Sequence, residues 1–231
     1  MYIALLSDIH SNIFALDAVY KDLEEKDISK ILITGDLIGY YYWPKEVITK
    51  VMRDKRVACI SGNHEEILAE SMNCTIKAAE YRKKYGSGYD VCIKELSNSQ
   101  LHWLLSLPKT LSLEIEGISF FLAHGSLHSA SDYIYPDAPK ELLDKNYTDA
   151  LFTVFGNTHY PFTAHNGKNT IINPGSVGQP RDLSGIASYA LVNTQNQSIT
   201  FRRVSFERGE IISAAQKYDP EISYLQTIMF R

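Results

Sequence analysis

Asp8 and His10 stand two positions apart, and Asp36, Asn63, His64, His124 and His159 follow along the chain. Both Asp8 and His10 can turn toward one cation from a tight strand end. The Asp36 carboxylate has two oxygens and can bridge two cations. Asn63 offers a neutral carbonyl oxygen, and His124 and His159 offer imidazole nitrogens. Mixed donors of this kind suit borderline divalent ions such as Mn²⁺, Fe²⁺, Zn²⁺ or Ni²⁺ rather than Ca²⁺, whose ligands are all oxygens. Two such ions about 3.5–4 Å apart can hold a bridging hydroxide and clamp the oxygens of an in-line displacement at phosphorus. His64 has another task. It directly follows Asn63, where an imidazole can protonate a leaving oxygen or stabilise charge at the reacting centre.

Five apolar runs must position these residues: Tyr2–Leu6, Ile31–Thr34, Val57–Ser61, Ile118–Ala123 and Leu151–Phe155. Each has the length and content of a buried strand, and each runs within two or three residues into Asp, Asn or His. In open α/β sheets, ligands bind at the carboxyl ends of the strands. Gly35, Gly62 and Gly156 precede three of the polar blocks, where they permit sharp turns beside bulky ions. Between the runs, residues 12–26 predict an amphipathic helix with Leu16, Val19, Tyr20 and Leu23 on one face, capped by Ser11 or Asn12. Pro44 opens a second helix to about Asp54. Residues 66–107 carry a helical pattern that Pro108 stops. Beyond it, residues 110–115 and 118–122 predict a hairpin through Gly117. Residues 170–172, 188–192 and 198–204 read as further strands, and residues 207–218 as a short helix. The last dozen residues carry no readable motif; they pack on the sheet or on a partner subunit.

The blocks Ser7-Asp8-Ile9-His10, Gly35-Asp36, Gly62-Asn63-His64-Glu65, His124-Gly125 and Gly156-Asn157-Thr158-His159 resemble, in order, the five motifs of the calcineurin-like metallophosphoesterases. The run from Asn173 to Arg181 resembles the signature of the small bacterial and archaeal phosphodiesterase branch. The resemblance implies a four-layer αββα sandwich of two mixed sheets flanked by helices. It implies two divalent metal ions: one held by Asp8, His10 and His159, a second by Asn63 and His124, with Asp36 bridging. His64 would be the catalytic histidine that is not a ligand. It also implies hydrolysis of phosphodiester or phosphoanhydride bonds, with dinucleoside polyphosphates or protein and small-molecule phosphomonoesters as alternatives. A non-catalytic scaffold of the same fold is disfavoured by the retained ligand set. One block departs from the pattern. The family has histidine where this chain has Asn157, a poorer donor for these ions. Either Asn157 ligates weakly, or a water replaces it, or His128 fills the gap; the second ion should then be held less tightly.

Several side chains have two readings. Tyr40-Tyr41-Tyr42-Trp43 reads first as packing for the Pro44 helix, although Tyr40 is a candidate to stack on a nucleobase. Arg181 suits bidentate binding of a phosphate group. Asp132, Tyr133 and Tyr135 are candidates to line the pocket, and Arg82-Lys83-Lys84 reads as a solvated face. The net charge of −4 supplies no basic field for a stable nucleic-acid partner. A small phosphoester, such as a nucleotide, is the expected partner, and a homo-oligomer is compatible with the sequence. Three widely spaced cysteines without a CxxC predict reduced thiols and a cytoplasmic setting. The first apolar run is too short for a signal peptide or membrane span. The length fits a single domain over residues 1–231, with a mostly helical insertion at about 66–108.

Overall fold

A computed structural model describes residues 1–230 of the chain. The elements run β1 (Tyr2–Leu6), α1 (Ile13–Glu24), β2 (Ile28–Ile33), α2 (Pro44–Arg53), β3 (Val57–Cys59), α3 (Asn63–Asn73), α4 (Thr75–Tyr85), α5 (Gly88–Glu95) and α6 (Asn98–Leu105). They continue with β4 (Leu111–Ile115), β5 (Ile118–Leu122), α7 (Lys140–Asp144), β6 (Phe152–Val154), β7 (Pro161–His165), β8 (Thr170–Pro174), β9 (Ile186–Asn193), β10 (Ile199–Ser205), α8 (Gly209–Tyr218) and α9 (Tyr224–Thr227).

Two mixed five-stranded sheets result, in the orders β10-β9-β1-β2-β3 and β4-β5-β6-β8-β7. The strands β1, β2 and β3 are mutually parallel, as are β5, β6 and β8. Alternate residues of one strand face opposite sides, which explains the unbroken apolar runs. Ile3 and Leu5 of β1 face Phe120, Leu122, Phe152 and Val154 of the other sheet. Ala4 and Leu6 face outward, against Leu16, Val19 and Leu23 of α1 and Val47 and Ile48 of α2. The outer face of the second sheet is covered more thinly, by Ile134, Leu143 and their neighbours over Phe155 and Ile171. The four-layer sandwich expected from the motifs is therefore present, with the short helix α7 in its outer fourth layer.

Local chemistry accounts for most boundaries. The Asn12 side chain accepts from Ala15 N–H at 3.0 Å and caps α1. Pro44 begins α2. The helical stretch expected at 66–107 is four helices, broken at Cys74, at Gly86-Ser87 and at Ser97, whose side chain caps α6 together with Gln100. The turn between β4 and β5 uses Glu116 and Gly117, both with positive φ, as a two-residue hairpin requires. Besides α9, which falls within the last dozen residues, two elements have no counterpart in the sequence reading. One is β7, an edge strand that begins on Pro161; proline is tolerated at that place and argues against a strand anywhere else. The other is α7, only five residues long. After α8 the chain returns to the body: Leu225, Ile228 and Met229 are buried in the layer of helices over the first sheet. The cysteines are unpaired, and no described helix is long and apolar enough to cross a membrane.

Candidate metal centre

The carboxyl ends of β1, β2, β3, β5 and β6 meet at one edge of the sandwich. Asp8 and His10 follow β1, Asp36 follows β2, and Asn63 and His64 open α3 just after β3. His124 follows β5, and Asn157 and His159 follow β6. The first sheet thus contributes five of these side chains and the second sheet three. All are buried, Asn63 the most accessible at 9%.

The backbone bends sharply to deliver them. Nine described non-glycine residues have positive φ, and five are Asp8, His10, Asp36, Asn157 and His159. Each such conformation costs about 1–3 kcal/mol and persists only where its surroundings enforce it. Here the enforcement is visible. Asp36 O accepts from Ile9 N–H and His10 N–H, while Asp8 N–H donates to Gly35 O. The Glu65 carboxylate accepts from the N–H groups of Asp36, Leu37 and Gly62 at 3.0, 2.9 and 2.6 Å, tying the ends of β2 and β3 together. Burial raises the Glu65 carboxyl to about 7, with Asp36 adding to the effect and the N–H donors opposing it. The Asn173–Gln179 run braces two of the loops that carry the candidate residues. Ser176 Oγ donates to Asp8 O, and Asn173 Nδ2 donates to Gly156 O. Of the three glycines expected to make turns, Gly35 alone has positive φ, at +94°. Gly62 and Gly156 instead allow close approach, since a Cβ there would strike the Asp36 carboxylate and Ser7 Oγ.

Three overlapping groups bring one donor atom from each member within 4.8 Å of the others: Asp8, His10 and His159; His10, Asp36 and His64; Asp8, Asp36 and His124. The ring nitrogens away from the centre are tied to backbone carbonyls. His10 Nδ1 meets Ile38 O at 3.1 Å, His124 Nδ1 meets Thr34 O at 2.5 Å, and His159 Nδ1 meets Gln179 O at 2.6 Å. A carbonyl only accepts, so each Nδ1 carries the hydrogen and each neutral ring turns the lone pair of Nε2 inward. Two inward lone pairs then face each other: His10 Nε2 and His159 Nε2 at 3.2 Å. His124 Nε2 likewise faces Asn63 Oδ1 at 3.0 Å. Asp36 Oδ2 is buried, 3.2 Å from His124 Nε2, and accepts no hydrogen bond from any described residue. Acceptors aimed at acceptors need positive charge between them, and the nitrogen and oxygen donors present fit divalent cations.

Burial alone would raise the Asp8 carboxyl, but His159 and His124 overcome it and bring it down to about 2. The same balance, through His124 and His64, holds Asp36 far below the carboxylate range. Burial pushes His10 well below its ordinary value, and His64 down to about 4. At His124 burial acts in the same direction, but Asp36 outweighs it and raises the ring to about 10. A proton there and a cation compete for one lone pair.

The remaining candidates fall around this centre. Asn157 N–H donates to the Asp8 carboxylate, and its Nδ2 donates to Asp132 O at 2.7 Å. His128 is exposed and lies outside the three groups; it shares a cleft of about 320 Å³ with His124, Ser126, Lys109 and Glu66. Tyr40 is buried, its ring centroid 4.7 Å from that of His10 and 4.8 Å from that of His64. Tyr41 and Tyr42 are buried with it, as the packing reading expects. Arg181 is part-buried, with Nε lacking a hydrogen-bond partner among the described residues, in electrostatic reach of Tyr224, Tyr40, Asp8 and Tyr133. Tyr89 and Tyr224 also stand at the site, Tyr89 on His64 and Tyr224 beside Tyr40 and Gln179. Neither carries a signal in the sequence, because each is one tyrosine among fifteen.

Comparison with known proteins gives one picture. A model of the calcineurin-like phosphoesterase superfamily domain matches residues 1–197. An uncharacterized protein of Methanocaldococcus jannaschii is 33% identical over 224 residues, covering 89% of this chain and 88% of the relative. A metallophosphoesterase from Sphaerobacter thermophilus superposes with a TM-score of 0.80 at 26% identity, covering 99% of this chain and 98% of that one. A hypothetical protein from Pyrococcus horikoshii has the same fold, with a TM-score of 0.84 at 22% identity, over 100% of this chain and 98% of the other.

Proposed function

Since the chain belongs to the calcineurin-like phosphoesterase superfamily, a family of metal-dependent phosphoester hydrolases, we propose that it cleaves phosphodiester or phosphoanhydride bonds at a two-metal site. In this reading Asp8, His10 and His159 hold one divalent ion, Asn63 and His124 hold a second, and Asp36 lies between them. The observation that carries it is the set of inward lone pairs of His10, His124 and His159 around two carboxylates, with His10 and His159 facing each other at 3.2 Å. Bound there, the ions supply Lewis acidity and an activated water. The chain supplies the rest. His64, whose Nε2 lies 3.9 Å from Asp36 Oδ2, acts on the leaving oxygen. Arg181 offers guanidinium hydrogens to a phosphate oxygen. The buried walls exclude bulk water and so strengthen these interactions.

One observation favours a nucleotide, including a dinucleoside polyphosphate, as the substrate. Tyr133 and Tyr135 are exposed and nearly parallel, 5.8 Å apart, on the loop that Asn157 anchors through Asp132 O. Aromatic rings in that place offer a base about 1–3 kcal/mol of stacking.

The test is elemental analysis of the purified protein with a panel of diesters, monoesters and dinucleoside polyphosphates in Mn²⁺. Hydrolysis of the diesters or polyphosphates is expected. Inertness to every member with metal bound counts against the reading. His64→Ala should lower turnover about 10²–10⁴-fold and leave the metal content unchanged; loss of an ion would make His64 a ligand.

A further inference from the structure

His64 lies as near the centre as the ligand histidines. One of its nitrogens groups with His10 and Asp36 within 4.8 Å, so proximity does not distinguish it from a ligand. What distinguishes it is the group behind the ring. His10, His124 and His159 each have a carbonyl at Nδ1. His64 has the Tyr89 hydroxyl, 2.5 Å from Nδ1.

A phenol can donate as well as accept. Tyr89 is 3% exposed, and burial pushes its ionisation well above the ordinary value, so it keeps its hydrogen. Nδ1 of His64 is its one hydrogen-bond partner among the described residues. A buried O–H without an acceptor is costly, so the hydroxyl donates to Nδ1. A neutral imidazole that accepts at Nδ1 carries its own hydrogen on Nε2, the reverse of the other three.

We infer that Tyr89 is a positioning residue: it fixes His64 in the Nε2–H tautomer, which bars the ring from coordinating an ion and makes it a hydrogen-bond donor to the leaving oxygen. This rests on the two-metal reading above. It also sharpens the role of His64, which stabilises charge on that oxygen through a hydrogen bond.

Tyr89 is itself held from afar. Ser87, two residues before it, donates to Asp219 through its N–H, at 2.9 and 3.0 Å, and through Oγ at 2.8 Å. Tyr42 OH donates to the same carboxylate at 2.8 Å. Asp219 follows α8 and lies beyond the residues the family model matches. Gly39 leaves room beside the ring, since a Cβ there would strike His64 Nδ1.

Nitrogen-15 NMR of histidine-labelled protein loaded with Zn²⁺ tests the tautomer directly. The expected pattern for His64 is an unprotonated, hydrogen-bonded Nδ1 and a protonated Nε2; the opposite pattern overturns the inference. Tyr89→Phe should lower kcat about tenfold, the worth of one well-placed hydrogen bond, with KM and metal content unchanged. The loss should be greater for a phenyl than for a 4-nitrophenyl leaving group, because the poorer leaving group needs the donor more. Equal losses for the two, or loss of metal, overturn it. If the wild type hydrolyses no diester, the functional reading fails, while the NMR pattern still decides the role of Tyr89.

Discussion

Four histidines around one centre differ by the atom behind each ring. The carbonyls of Ile38, Thr34 and Gln179 leave three rings with inward lone pairs, and the Tyr89 hydroxyl leaves the fourth with an inward hydrogen. Residue type made all four candidates; hydrogen bonding sorts them. The same scale governs Asn157. Its Nδ2 is engaged by Asp132 O, and only its oxygen remains to act as a donor where the family has imidazole. Asn157→His should therefore bind the second equivalent of Mn²⁺ more tightly, by roughly tenfold or more given the better donor. Titration of metal-free wild type and variant, followed by calorimetry, measures this; equal affinities would show that position 157 does not touch the ion.

Elements hold the site by links between distant segments. Asp22 on α1 accepts from Tyr189 of β9 and from Arg202 of β10, and pairs with Lys26 at 2.9 Å. Burial opposes its ionisation, but Arg202, Tyr189 and Lys26 bring it from 3.8 down to about 2. A carboxyl that ionises more readily folded than unfolded adds stability that is complete above about pH 4 and is lost as pH falls toward 2. Asp22→Asn should lose about 2 kcal/mol at pH 7. Urea melts at several pH values should show the gap from wild type closing between about pH 4 and 2; a gap independent of pH would refute the assignment. The same scale shows what patterns conceal. Proline at the head of β7 hid an edge strand, and one helical pattern concealed the breaks at Cys74, Gly86 and Ser97.

The whole molecule joins two sheets at one edge, and the candidate ligands come from both. Ions held there would staple the sheets as well as serve the chemistry. Mn²⁺ at about a hundred times its Kd should add about 2.7 kcal/mol, a rise of roughly 5–10 °C in Tm for a chain of this length. Chelation should reverse it; a Tm indifferent to Mn²⁺ and to chelator would exclude a metal staple. The sequence by itself determined the five strands that run into polar residues and their order along the chain, because apolar periodicity and residue type are written locally. That is why β1, α2 and β5 lie where their residues predicted. Only the tertiary structure decided which nitrogen of each ring faces the centre. The carbonyls behind three rings belong to backbone with no residue signature, and Tyr89 lies 25 positions from the histidine it orients. A tautomer is set by the partner that packing delivers, and packing joins residues that the linear chain keeps apart.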